Sequence, residues 1–594
     1  MGYLDDWTSI VTLAAAIAGT LYLLLYRLQT SKKHAHEPPI IAPAIPYVGH
    51  LLGMAFQGGR YVKGIGLRNR DKPIFTLPVP FSRIYVVTDP SLAAAVQRAS
   101  KTLSFSPLIP DITKRVLGFN NETTTILRQH IDPEPGEARG VIADLHDMVW
   151  SYLAPGETLS ELSLRASREL ARLVNDYAES HDGDPEVVSL LIFLRGFIAR
   201  ATAVFLYGPS NPLSVDPSLE DAFWDFDHGL GSLLMGVAPS LTAQKPFRAR
   251  ERLVQAFTAY LEAGHHHDAA ASEIIRRRIA VLTAHGITLK EAARSEVSFL
   301  FAGIVNSATT TFWIVTHLIA RPDLLRYVRA ELLARAVTEL DMGGGGKPTR
   351  LMDQDALKTN CPTLMSVFRE ALRLGSDFYS TRLVKQDTEL AGGRYFLAKG
   401  AVVQIAGGVI HADPNVWGEG VDEFDPLRFM KLEKGGVATR KGEEEEKPGT
   451  ANKQDDDEKE KGTSNNKNPE KSDSSSSNIS GKEEEQQQQP SSSSSSFKDT
   501  QEKKEKGIHP AAFRAFGGGK TLCPGRHFAT HEILAFVAMV VLTLDIESVE
   551  GKDKTIAVPE KDDGVMPVHI LEPKTDVRVK VRVRRDGGRL VVVR

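Results

Sequence analysis

The chain has 594 residues, 42% hydrophobic and 25% charged, with 72 Lys and Arg against 75 Asp and Glu. That composition supports a large apolar core, and a formal charge of -3 excludes a broadly cationic nucleic-acid surface, so no nucleic-acid partner is expected. Two cysteines, Cys361 and Cys523, exclude a disulfide framework; with no CxxC pair they also exclude the usual structural zinc site, and they suit a body facing a reducing compartment.

The first element is apolar. Trp7 to Tyr26 read WTSIVTLAAAIAGTLYLLLY without a charge, and twenty helical residues span about 30 Å, the thickness of a bilayer's hydrocarbon layer. Arg27, Lys32 and Lys33 follow the run and belong on the cytoplasmic side. Residues 7–28 are therefore expected to form a single transmembrane anchor with the body in the cytoplasm. A cleaved signal peptide fits less well, because no basic segment precedes the run and no small-residue cleavage site closes it. The prolines of EPPIIAPAIPYVG make 37–49 an extended hinge.

Residues 50–594 read as the body. PIFTLPVPFSRIYVVTDP is rich in strand formers, helical patterns dominate afterwards, and AVVQIAGGVI at 401–410 is strand-like. Ser298 to Ala320 is a second uncharged run. Asn306, Ser307, Thr309, Thr310, Thr311 and His317 crowd it with polar groups, which suits a buried helix walling a cavity rather than a second span. Residues 434–506 carry Glu, Gln and Ser tracts and almost no large apolar residues, so they are expected to be a disordered insertion into the body. VRVKVRVRR, from Val577 to Arg585, alternates as a half-buried strand, and Asp586-Gly587 signals a hairpin beyond it.

The chemistry gathers in FRAFGGGKTLCPGRHFATHEILAF, 513–536. Gly517 to Gly519 would let backbone approach a flat ligand closely. Pro524 reads as the first residue of a helix with Cys523 at its cap, where unpaired N–H groups favour a thiolate. One cysteine cannot close a zinc site, but it can be the axial ligand of haem iron.

The stretch from Phe516 to Gly525, FGGGKTLCPG, resembles the haem-binding loop of the cytochrome P450 family. The order of Glu370-Ala-Leu-Arg373, Arg382, HADPNVWG at 411–418 and FDPLRF at 424–429 is similar to that family's core. The spacing of Glu370 and Arg373 alone means little, since Glu169–Arg172, Glu273–Arg276 and Glu291–Arg294 share it. The resemblance implies a mainly α fold with a smaller β region and haem b held by the axial thiolate of Cys523. It places Phe516, Gly517 and Gly525 around the cofactor and Arg382 on a haem propionate. Glu370, Arg373 and Arg428 become a buried network bracing the loop.

Three departures stand out. Val305 and Asn306 occupy positions where most family monooxygenases carry an acid followed by threonine, which leaves Asn306 and Ser307 as candidates for the proton-handling role. Asn306, the hydroxyl after it and Phe312-Trp313 resemble the branch containing sterol 7α- and 12α-hydroxylases and prostacyclin synthase. Thr521 stands where many relatives have a basic propionate partner, and Ala154 replaces the arginine of a Trp-x-x-x-Arg contact starting at Trp150, leaving His146 or another arginine to compensate.

The resemblance implies a monooxygenase acting on a lipophilic sterol, terpenoid or fatty-acyl compound. It would sit in the endoplasmic-reticulum membrane with NADPH–cytochrome P450 reductase as partner, and Ser and Gln tracts inside the patterned core suit specialised metabolism. Two other readings stay open: a haem-thiolate isomerase acting on a peroxide without a reductase, and a non-catalytic haem sensor or lipid-binding module.

Overall fold

A computed structural model describes residues 2–31, 34–181, 184–340, 348–430, 508–551 and 554–594. The insertion expected at 434–506 lies outside the described residues, as do the side chains before Val11. Helix α1 (Gly2–Thr30) covers the stretch expected to be the anchor. Its apolar segment Val11–Leu24 leaves Leu13, Ile17 and Leu23 exposed to 60% or more, so this face is not used for packing within the chain.

The proline-rich segment that follows is stitched to the body. The Ile41 N–H donates to Thr76 O and the Thr76 N–H to Pro39 O (2.9 and 2.7 Å). Buried Glu37 accepts from the Tyr85 hydroxyl (2.9 Å) and pairs with Arg83 (3.0 Å).

The stretch expected to be rich in strand folds as a hairpin of β1 (Ile74–Val79) and β2 (Ser82–Val87), and Asp89 caps helix α2 (Pro90–Arg98) after it. Helix α3 (Glu157–Ser180), strand β3 (Glu186–Ser189), helix α4 (Leu190–Tyr207) and helix α5 (Ser218–His228) come next. Helix α6 (Leu289–Ile319), 31 residues and about 46 Å long, starts at the Thr288 cap. Strand β4 (Thr349–Asp353), helix α7 (Pro362–Gly375), strand β5 (Tyr379–Val384) and strand β6 (Val402–Ala406) follow. Helix α8 (Arg526–Thr543), strand β7 (Leu544–Ser548), strand β8 (Arg578–Val583) and strand β9 (Arg589–Val593) close the chain. Helix makes up 57% and strand 13%, a mainly α fold with a smaller β region.

Helices α4, α6 and α8 are long and apolar enough to cross a membrane, yet most of each apolar window is buried within the protein. They form the central core, as expected for Ser298 to Ala320. In the main sheet β1 pairs with β2, β2 runs parallel to β6, and β6 runs antiparallel to β5. On β5 the two-residue period puts Ser380 and Arg382 on one buried face.

Two local expectations fail. The strand-like run 401–410 stops at Ala406 and turns into a short helix, Gly407–His411. A Cβ on Gly407 would sit 2.9 Å from Phe378 O and one on Gly408 2.5 Å from Asp377 Oδ1, so the two glycines let the chain leave the sheet against that segment. Asp586-Gly587 does not close a hairpin: β8 pairs with β7 and β3, whereas β9 runs parallel to β4. Arg584 holds the turn through Asp545 and Asp586 (2.6 and 2.7 Å), and Arg350 donates to Asp586 O (2.9 Å). Together they steer the chain across to β4.

Candidate active site

Cys523 sits in a tight loop rather than at a helix cap. Its N–H donates to Phe516 O (2.9 Å), and α8 begins only at Arg526 with Gly525 at the N-cap. The expectation that Pro524 opens the helix is therefore wrong by two residues, because Pro524 and Gly525 are used in the turn that aims the sulfur. Burial pushes the thiol pKa up, while the Gly525 N–H and the Arg526 guanidinium pull it down. Burial is the largest cause, so the helix end does not by itself lower the thiol pKa here, and thiolate character would come with a metal partner. Cys361 is fully buried, with its thiol pushed up to about 12, and belongs to the packed core.

The glycines serve the loop more than a ligand. Gly517 and Gly519 have φ of 78° and 61°, and a Cβ on Gly518 would lie 2.0 Å from the Gln97 carboxamide. The loop is thus pressed against α2. Gly517, Phe516 and Gly525 nevertheless line the same cavity as Cys523.

Two buried guanidinium groups face this loop. Arg382 donates to Thr381 O (2.7 Å), to Gly518 O (3.3 Å) and to the Thr521 hydroxyl. Arg514, 1% exposed, donates from Nη2 to Ser380 Oγ (3.1 Å), and with the Gln97 amide oxygen turned toward it also bonds Gln97 at 2.5 Å. Neither arginine meets a carboxylate among the described residues. Desolvation pushes both down to about 10, Arg514 further depressed by Arg382. Two adjacent buried cations without an acid are costly alone and fit a dianionic ligand, as a haem's two propionates would be. Arg514 is an arginine of the kind left open for the missing contact. His146 is half exposed, bonded to Asp147 and stacked on Trp150.

The carboxylate network lies behind the loop. Arg373 forms two bonds to Glu370 (2.7 and 2.8 Å) and Arg428 a third (3.0 Å); the three are 1%, 0% and 6% exposed in the order Arg373, Glu370, Arg428. By contrast the equally spaced Arg172 of Glu169–Arg172 has a half-exposed side chain. Arg373 also donates to His411 O (2.7 Å), and His411 Nε2 accepts the Arg514 N–H (2.8 Å) while Nδ1 bonds Ser376 O (3.0 Å). His411, pushed down to about 3 by burial, stays neutral and connects the network to the cysteine loop.

Facing Cys523 is a cavity of about 430 Å³ walled by α6. Phe299, Ala302, Gly303, Asn306 and Thr310 recur at helical spacing and share that face. Asn306 Oδ1 accepts the Ile570 N–H (3.0 Å), and Trp313 Nε1 donates to Leu571 O (2.8 Å). These two bonds tie the loop 568–571 to α6 and leave the Asn306 NH2 for the cavity. Ser307 lies beside a residue sequence reasoning missed. Glu532 on α8 is 1% exposed, accepts from Thr202 Oγ1 (3.2 Å), and has no partner at Oε2 within hydrogen-bond geometry. Burial pushes its carboxyl up to about 7, opposed by the Ser307 and Thr202 hydroxyls. A lone acid within the apolar run ATHEILAFVAMVV was the available signal for it.

The comparisons bear on this geometry. The family model for cytochrome P450 matches residues 240–445 and 495–571. The chain is 28% identical to the cytochrome P450 monooxygenase nodJ of Hypoxylon pulicicidum, over 97% of this chain and 95% of that one. It is 24% identical to the cholesterol 7-alpha-monooxygenase of Cricetulus griseus, over 93% and 95%. The chain belongs to the cytochrome P450 family. A solved structure, retinoic acid-bound cyanobacterial CYP120A1, shares the fold with a TM-score of 0.59 at 19% identity, covering 92% of this P450 and 99% of that chain. This P450 is an oxidoreductase of the monooxygenase type, not a non-catalytic module, and its family implies haem ligated by a cysteine thiolate.

Proposed function

We propose that this P450 is a membrane-tethered haem b monooxygenase oxidising a lipophilic small molecule with electrons from NADPH–cytochrome P450 reductase. The observation that carries the reading is one apolar cavity lined by both Cys523 and the acid-free Arg382, with a second acid-free cation, Arg514, buried beside Arg382 and bonded to Ser380 of the same lining. Cys523 Sγ would hold the iron, Arg382 and Arg514 the propionates, and Phe516, Gly517 and Gly525 the surroundings of the ring. When bound, haem supplies the activation of O₂, favoured by thiolate electron density.

The chain's own groups then manage protons and water. Val305 offers no proton where an acid is usual. Glu532, with a carboxyl near 7, stores one beside the Ser307 hydroxyl, which passes it toward the cavity. The Asn306 NH2 donates a hydrogen bond there, while its oxygen keeps the 568–571 loop in place. Phe105, Phe205, Phe299 and Phe528 exclude bulk water and suit an apolar substrate of sterol, terpenoid or fatty-acyl type. The likeness to the cholesterol 7-alpha-monooxygenase of Cricetulus griseus supports the sterol member of that class.

The exposed apolar segment of α1, followed by Arg27, supports single-pass insertion in the endoplasmic reticulum with a cytoplasmic body. The test is product formation from candidate lipids by membranes holding the enzyme. Turnover only with NADPH and reductase is expected. Turnover of a hydroperoxide without either would replace this reading with the isomerase.

A further inference from the structure

Helix α5 ends in Asp227 and His228, and the loop that lines the cavity brings His569 and Glu572 against that end. One ligand atom each from Asp227, His228 and Glu572 lies within 4.8 Å of the others. The Asp227 side chain is completely buried; its Oδ1 meets only the His569 imidazole and its Oδ2 has no hydrogen bond, and Glu572 Oε1 is also buried without one. His228 Nε2 stands 3.0 Å from Glu572 Oε2, and His569 Nε2 stands 3.2 Å from Asp227 Oδ1.

His569 is held for this task by its other nitrogen. Nδ1 bonds Ile570 O at 2.7 Å, which fixes the ring with Nε2 toward Asp227. That backbone anchor fixes His569 as a positioning partner of Asp227. Donors about 2.0–2.2 Å from a tetrahedral zinc ion are about 3.3–3.6 Å apart, so the His228–Glu572 pair, at 3.0 Å, would open by a few tenths of an ångström to admit one.

We propose that Asp227, His228 and Glu572 form a site for one divalent ion of the zinc class, with His569 behind it orienting Asp227. One imidazole and two carboxylates, with no thiolate, select a borderline cation that accepts nitrogen and oxygen together. Arg195 is the cation facing the set; its guanidinium lies over the Trp224 ring at 4.4 Å and its Nε has no partner. Glu220 and Asp221 join Asp227 and Glu572 around it, with Arg200 3.6 Å from Glu220 and with His228 and His569 as the other groups there that can carry positive charge. The ion clamps α5 to the loop carrying Val568, His569 and Ile570, and through the Ile570 N–H to Asn306 it stiffens one wall of the cavity.

The test is zinc titration by calorimetry of the tag-free, chelator-treated holoenzyme. His265 and His267 are replaced by Ala throughout, so that the accessible imidazoles flanking buried His266 do not compete for the added zinc. One saturable ion per chain is expected, bound at least tenfold more weakly in His228→Ala and in the shape-conserving Glu572→Gln. Amide exchange in 565–572 should slow on adding zinc to the parent and not to either variant. Absence of a saturable ion in the parent, or the same ion retained at equal affinity in both variants, overturns the site.

Discussion

Burying Arg382 and Arg514 side by side without an acid is a cost the protein carries until an anion arrives. Replacing Arg514 with Met should therefore act in opposite directions on the two states. Melting temperature of the haem-free protein rises, while haem affinity falls about tenfold or more, the equivalent of about 1.4 kcal/mol. Scanning calorimetry and haem titration measure the two. Glu532 gives a signed pH dependence. Its folded carboxyl titrates at about 7 against an ordinary 4.5, so the folded protein keeps a proton that the unfolded chain has released. Stability should then fall by about 3 kcal/mol as pH rises through that window. Urea unfolding across pH should show Glu532→Gln losing this slope, and its product formation should drop about 10²-fold. Cys523, Arg382 and the carboxylate network were legible because their motifs are long and ordered. Arg514 and Glu532 were not, because a single arginine or glutamate shows its burial and its missing partner only after folding.

At the scale of elements, α7 and the loop before the cysteine act as one part through Glu370, Arg373 and His411. Removing the acid in Glu370→Ala strands Arg373 and Arg428 and should cost about 3–5 kcal/mol. In denaturant titration the variant should unfold far earlier, with little haem-loaded protein recovered. Asn306→Leu orphans the Ile570 N–H, at about 1–3 kcal/mol, whereas Asn306→Asp keeps an acceptor. Amide exchange at 568–571 should separate them. The buried helix α6 came through the sequence from its uncharged run, and the β1–β2 region from its β-rich composition. The failures at 401–410 and at Asp586-Gly587 share a cause. Local pattern identified a strand or a turn, but tertiary contacts with Phe378, Asp377, Arg584 and Arg350 decided where the chain went next.

For the whole molecule, one core built on α4, α6 and α8 encloses the cavity, and α1 keeps its apolar surface outward. Deleting residues 1–31 should move the protein from the membrane pellet toward the soluble fraction without changing its ligand spectra. Pelleting at unchanged yield would assign attachment elsewhere. The account as a whole depends on sulfur at position 523 binding iron, and the reduced carbon monoxide spectrum of Cys523→Ser tests it most directly. The variant should lose the thiolate-type band that the parent shows under the same conditions. An unchanged band in the variant would contradict the account.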